Sequence, residues 1–182
     1  MACSISLIAY RNDKLITTSD KLIMTYPEAI KYLESFIDYE KAPAFAYKES
    51  LKLERIKNFL DSIGNPHDGL KCLHIAGTKG KGSTSAFLTY ILREAGYKVG
   101  LYTSPHLSDF RERIRILGPQ RLPGDFEGMI SRRDLARLVK RSKPVIERFN
   151  ARSEYGPLTF FEVYTALAFI YFNENRVDFA VF

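Results

Sequence analysis

Within eight residues, Gly77-Thr-Lys-Gly-Lys-Gly-Ser-Thr84, the chain places three glycines, two lysines and three hydroxyl side chains. That set suits one kind of chemistry, the holding of a phosphate. Glycines let the backbone approach phosphate oxygens closely enough for its N–H groups to point at them. A helical pattern starts at about Ser83, and the first turn of a helix adds unpaired N–H donors and the positive end of its dipole. Lys81 supplies a charge able to bridge terminal phosphates, and Ser83 or Thr84 a hydroxyl for Mg²⁺. The match to Gly-x-x-x-x-Gly-Lys-Ser/Thr is incomplete. Ile75 stands where that pattern has its first glycine, and Gly82 separates Lys81 from the first hydroxyl. A flexible Gly/Lys/Ser turn is the plain alternative; the flanking strand and helix patterns favour a nucleotide.

Thr103-Ser-Pro-His-Leu107 follows the next apolar run, Lys98–Tyr102. It falls at the C-terminal end of a strand, the side on which open parallel sheets take ligands. Ser104 reads equally as an oxygen for Mg²⁺ or as the start of an ordinary Ser-Pro turn. Asp109–Arg115 is dense in charge, and Ile114 and Ile116 alternate with Arg113 and Arg115. The alternation predicts a half-exposed strand, with Arg111 and Arg113 facing an acidic substrate. Thr159-Phe-Phe-Glu162 has capping-box spacing. Glu162 is therefore either the acid that reaches back to the N-cap amide or a hard oxygen ligand for Mg²⁺. His67, in a turn, is expected to face solvent, and His74 to pack within the strand before the glycine loop.

At 182 residues and 46% apolar, the chain is long enough for one domain with a proper core. Its two cysteines, Cys3 and Cys72, lie far apart and form neither a metal-ligand nor a disulfide pattern. That fits a reducing compartment, the cytoplasm, with both thiols as packing residues. No apolar run is long enough to span a membrane, and Ser4–Tyr10 is too short and lacks the basic flank of a signal peptide. The formal charge of +6 suits an anionic ligand. Much of it lies in Arg132, Arg133, Arg137, Lys140, Arg141 and Lys143, along one helical pattern with no interleaved aromatics. A solvated helix face is expected there, not a nucleic-acid surface.

The elements that must position these groups follow from periodicity and caps. Residues 1–23 have no clear period and read as an N-terminal extension. Thr25-Tyr-Pro-Glu28 is a capping box opening a helix with Ile30, Leu33, Phe36 and Ile37 at helical spacing. Lys41–Tyr47 is a loop. A second helix runs from Ser50 to Ile63, with Leu53, Ile56, Phe59, Leu60 and Ile63 as its stripe and Gly64 closing it. Strand 71–76, helix 83–95 and strand 98–102 make a right-handed βαβ unit. Residues 118–128 form a loop, and Ser131 opens a helix through about Phe149, with a break or kink expected at Pro144. After a loop at 151–157, a helix from Thr159 to about Asn175 leads to a final strand, Val177–Phe182. The whole is an α/β, P-loop, three-layer domain over 24–182 with a mainly parallel sheet. Its last strand has no covering helix after it, so the domain is expected to be incomplete at its C-terminus, the N-terminal piece of a larger protein.

With these residues in hand, the chain resembles the folylpolyglutamate synthase/dihydrofolate synthase family of the Mur ligase superfamily. The resemblance rests on Gly77–Thr84, Tyr102-Thr-Ser-Pro-His-Leu107, Arg111-Glu-Arg-Ile-Arg-Ile116, Leu158-Thr-Phe-Phe-Glu162 and Val177-Asp-Phe-Ala-Val181. It runs in the right order from Met24 to Phe182, and Gly82 ceases to be an anomaly, since the family's loop is similar to Gly-Lys-Gly-Ser. The resemblance implies an ATP-dependent ligase. A carboxylate of dihydropteroate or a folate attacks the γ-phosphate of ATP to give an acyl phosphate and ADP, and the amine of L-glutamate then expels phosphate to form an amide. It implies Thr78, Lys79, Gly80, Lys81, Gly82, Ser83 and Thr84 as ATP-binding, Lys81 as catalytic, and Ser104 and Glu162 as ligands of Mg²⁺. It also implies a cytoplasmic monomer acting on small molecules, with no membrane or nucleic-acid partner.

Further metal ligands and a C-terminal domain that helps bind glutamate are expected beyond Phe182, so the 182 residues alone are expected to be catalytically inactive. Two other readings compete. A peptidoglycan-precursor ligase of the same superfamily is disfavoured by Gly82 and the Ser-Pro-His loop. A non-catalytic nucleotide-binding module is the third.

Overall fold

A computed structural model describes residues 24–40, 52–120 and 127–182. In chain order the elements are α1 (Tyr26–Glu34), α2 (Leu53–Ser62), β1 (Cys72–Leu73), α3 (Lys81–Glu94), β2 (Val99–Tyr102), a 3₁₀ turn (Phe110–Arg113), β3 (Ile114–Leu117), α4 (Arg132–Asn150), α5 (Phe160–Glu174) and β4 (Phe179–Val181). The expected extension at 1–23 and the loop at Lys41–Tyr47 lie outside the described residues.

The strands form one sheet in the order β1-β4-β2-β3. β1 and β2 both run parallel to β4, while β3 is antiparallel to β2. The strands on either side of the glycine loop are thus not neighbours, because β4 lies between them. Gly128 and Ile130 bond to the far side of β3 through Ile116 N to Gly128 O at 2.8 Å and Ile130 N to Ile114 O at 2.9 Å.

The pleat of β2 and β4 sorts the core into two layers. Val99, Leu101 and Val181 point to one face and pack with Leu88 and Leu92 of α3. Tyr102 and Ala180 point to the other and join the larger core built from α1, α2, α4 and α5. Successive strand residues face opposite sides, so helices cover both faces and the three-layer expectation holds. Gly100 belongs to the second face, where a Cβ would lie 2.7 Å from the Phe172 ring of α5. α5 seats directly on the strand backbone at that point.

The caps are those the sequence announced. Thr25 and Glu28 satisfy each other's amides at the start of α1, as Thr159 and Glu162 do at α5. Gly64 and Gly96, just past α2 and α3, take the left-handed conformation with φ of 79° and 93°. Four expectations are corrected. α3 begins at Lys81, two residues early, because Gly80 at its N-cap also adopts φ of 76° and turns the chain within the loop. The break expected at Pro144 does not occur, and α4 is one continuous helix through it. Pro144 and Lys140, whose carbonyl loses its partner, are both exposed, so water can take that bond while buried residues on either side hold the helix. Asp109–Arg115 is not a half-exposed strand: it is a capped 3₁₀ turn leading into β3, with Arg113 and Arg115 both buried. Cys72 is exposed rather than packed, since it lies on β1 at the sheet edge.

The basic face of α4 is solvated as expected. Arg137 pairs with Asp134 at 3.2 Å, Arg141 with Glu174, and Lys143 with Glu147 at 3.7 Å.

Gly100→Ala is expected to destabilise the fold by about 1–3 kcal/mol, the range for overpacking a close-packed contact. A urea melt should show this as a lowered midpoint, and Gly118→Ala, whose Cβ would meet nothing within 4 Å, should leave the midpoint nearly unchanged.

Candidate nucleotide-phosphate site

The tips of β1, β2 and β4 open onto one cavity of about 430 Å³. Its walls include His74 and Ile75 after β1, Thr103 and Ser104 after β2, Phe182 after β4, and Lys81 and Gly82 from the glycine loop. Phe161, Thr165 and Phe169 of α5 also line it, as do Cys72, Ser85 and Tyr102. Two other concavities, of about 410 and 690 Å³, lie among the helices and touch neither the loop nor the strand tips.

The glycine loop is shaped by its own bonds. Lys81 Nζ donates to Gly77 O at 2.8 Å, folding the ammonium back over the loop. Thr84 donates from its amide and from its hydroxyl to Gly80 O, both at 3.0 Å. Residues 76–84 are all exposed, so the amides at the start of α3 stand open to an anion. His74, expected to pack, is exposed and lines the cavity, because β1 ends one residue before it.

The Ser104–Leu107 segment is pinned from behind by two charged residues. Glu112 accepts from Leu107 N at 2.7 Å, Ser108 N at 3.0 Å, Ser108 Oγ at 2.8 Å and Asp109 N at 2.8 Å. Burial pushes its carboxyl up, but these donors outweigh burial and hold it below the usual range. Arg113, 1% exposed, donates from Nε to His106 Nδ1 at 2.9 Å and through both terminal nitrogens to Glu40. Its guanidinium lies over the rings of Phe160 and Tyr164, at 5.0 and 5.5 Å. Burial likewise raises the Glu40 carboxyl, and hydrogen bonds from Arg113 and Ser104 more than reverse it. Arg111 pairs with Asp109 at 2.8 Å. Both arginines expected to face a substrate are thus paired with carboxylates of this chain, so their charge holds the loop rather than standing free.

Ser104 and Lys81 line one cavity; Glu162, 8% exposed, does not line it. Its Oε2 accepts from Thr159 N at 2.8 Å and Thr159 Oγ1 at 2.9 Å, which is the capping box. Arg55 Nε lies 3.0 and 2.9 Å from Oε1 and Oε2. His67 is half-buried, 5.3 Å from the Phe169 ring, instead of fully solvent-facing. Glu40, Arg55 and Glu112 were not singled out by sequence reasoning. Asp109-x-x-Glu112 carries the capping-box spacing and was a usable signal; Arg55 sits among the polar positions of an amphipathic helix and carries none.

No protein-family model matches the chain. A dihydrofolate synthase/folylpolyglutamate synthase of Bacillus subtilis is 43% identical over 131 residues, 71% of this chain and 28% of that protein. A probable bifunctional folylpolyglutamate synthase/dihydropteroate synthase of Haloferax volcanii is 39% identical over 158 residues, 87% of this chain and 17% of that protein. The structure of a folylpolyglutamate synthase complex with AMPPCP and folate superposes with a TM-score of 0.71 at 33% identity, covering 87% of this chain and 35% of that one. The relatives and the solved structures that this chain is similar to are members of the folylpolyglutamate synthase/dihydrofolate synthase family. The chain matches the N-terminal part of that family and spans about a third or less of the length of these relatives.

Among the groups that hold the loop, Asp109 gives a pH dependence. The Arg111 guanidinium, against the effect of burial, holds its carboxyl down at about 2. A depressed carboxyl stabilises the fold above its unfolded pKa of about 3.9 and loses that contribution as pH falls through the folded value. Urea midpoints should therefore fall between about pH 4 and pH 2, and Asp109→Asn should flatten that part of the profile.

Proposed function

We propose that this chain provides the phosphate-binding part of an ATP-dependent ligase that joins a folate or dihydropteroate carboxylate to L-glutamate. The observation that carries the reading is the meeting of Lys81, Gly82 and Ser104 in one cavity at the strand tips. A relative whose structure was solved with AMPPCP and folate supports it. The amides of Thr78–Thr84 take the polyphosphate, as exposed donors at a helix start do. Lys81 leaves the Gly77 carbonyl for the terminal phosphate, where its charge offsets repulsion between an anionic carboxylate and an anionic polyphosphate and steadies the transferring phosphoryl group.

Ser104, at the cavity, offers a hard hydroxyl oxygen of the kind magnesium takes alongside substrate phosphates and water, while Glu162, outside the cavity lining and bonded to Arg55 and Thr159, would join as a second ligand only once that ion pair opens. When bound, the ion lowers the charge the nucleophile meets. The protein works in the cytoplasm as a monomer. No described helix is long and apolar enough to cross a membrane.

Calorimetric titration with AMPPCP and Mg²⁺ tests the reading. Lys81→Met should weaken binding about ten- to a hundred-fold, the loss of one charge-assisted contact of about 1.5–3 kcal/mol. Undiminished affinity in that variant would overturn the assignment of the loop. The acceptor is identified by whether dihydropteroate or a tetrahydrofolate stimulates glutamate-dependent ATP cleavage.

A further inference from the structure

The concavities of about 410 and 690 Å³ lie end to end along α4 and share Val145 as a lining residue. Asn58 and Ser62 of α2, with Ile63 just past it, form the facing wall, so the two make one groove between α2 and α4. Its floor is apolar. Phe149, edge-on to the buried Phe59 ring at 5.3 Å, joins Val145 and Ile170 there. Its rim is basic: Arg137, Arg141, Arg148, Arg152 and Arg176 line it and are exposed, against two acids, Glu154 and Glu174. Glu174 pairs with Arg141 and lies 4.0 Å from Arg137. Among the described residues, Arg148, Arg152 and Arg176 have no carboxylate partner. Arg176 also stands at a left-handed φ of 50°, a position that glycine fills more easily.

We propose that this groove docks an acidic amphipathic helix of a partner protein, its carboxylates against the arginine rim and its apolar stripe on Val145, Phe149 and Ile170. Positions 137, 141, 145, 148 and 149 recur at steps of three and four and share one face of α4, with Arg152 just past its end. From 137 to 152 that face runs about 22 Å, the length of about four helical turns. Helix-in-groove recognition needs an apolar channel of this kind, and forked guanidiniums along its edge select carboxylates. Charge complementarity also says what does not fit. The chain itself carries +6, and its stretches 1–23 (Arg11, Lys14 and Lys21 against Asp13 and Asp20) and 41–51 (Lys41 and Lys48 against Glu49) each hold one surplus positive charge. The groove shares no lining residue with the cavity at the strand tips, so a partner seated in it leaves the glycine loop open.

Fluorescence anisotropy of a labelled peptide of about sixteen residues, glutamates with leucines at alternating steps of three and four, tests the proposal on the whole chain. Binding should saturate, and the double variant Arg148→Glu, Arg152→Glu should weaken it about ten-fold or more. The double variant Arg133→Glu, Lys140→Glu makes the same change in net charge on the same helix at positions that do not line the groove, and should bind nearly as the wild type does. All four positions are exposed, so both variants keep the fold, which near-ultraviolet circular dichroism verifies. A peptide with serine in place of each leucine should bind about ten-fold more weakly, having nothing to seat on the floor. Absence of saturable binding overturns the proposal, as does equal loss in the two double variants, which would make the effect one of overall charge. A serine peptide that binds as tightly as the leucine peptide also overturns it. So does an oligothymidylate that displaces the leucine peptide at equal concentration, which would make the rim a nucleic-acid surface.

Discussion

Everything near the strand tips depends on one buried cation. Arg113 brings its full charge into the core, against the rings of Phe160 and Tyr164, and balances it with a carboxylate from the segment after α1. Because the guanidinium is planar and forked, it satisfies Glu40 with its two terminal nitrogens and still has Nε for His106. Three stretches far apart in sequence, around Glu40, His106 and Phe160, thus converge on a single side chain. The Ser104 loop can hold a defined shape because this group and Glu112 brace it from within. The same burial pushes the phenols of Tyr102 and Tyr164 up, so the aromatic neighbours of the pair stay neutral.

A second layer of organisation comes from the sheet. Pleat alternation sends Val99 and Leu101 toward α3 and Gly100 and Tyr102 toward α5. The helix that opens at the glycine loop is thereby fixed against one face, and the helix that carries Phe161 and Glu162 against the other. Thr165 of α5 donates to the Tyr102 hydroxyl at 3.2 Å, which joins the second helix to the strand just before Ser104. Loop, strand tip and helix start meet because each is anchored to the same two strands.

Much of this was legible in sequence because it is local. Capping boxes at Thr25 and Thr159, the closing glycines 64 and 96, the strand–loop–helix pattern and the solvated face of α4 all follow from spacing within a few residues. What was not legible is long-range pairing. The alternation of Ile114 and Ile116 with Arg113 and Arg115 looks like a strand with one wet face. It conceals arginines that turn inward because Glu40, Tyr90 and the Glu127 carbonyl await them from other parts of the chain. Arg55 was invisible for the same reason: its partner is 107 residues away. Strand order also escaped, since β4, the last strand in sequence, lies between the first two.

The cavity wall has one more consequence. Phe161, Phe169 and Phe182 line the cavity onto which the exposed Lys81 also opens, so a polyphosphate bound there would meet apolar rings in place of water on that side. Coulomb attraction scales inversely with the local dielectric, so an aromatic flank lets one lysine reach farther and resist salt better than the same charge on an open surface. Rings of this kind, which look like mere packing, amplify the field in which a polyphosphate would settle.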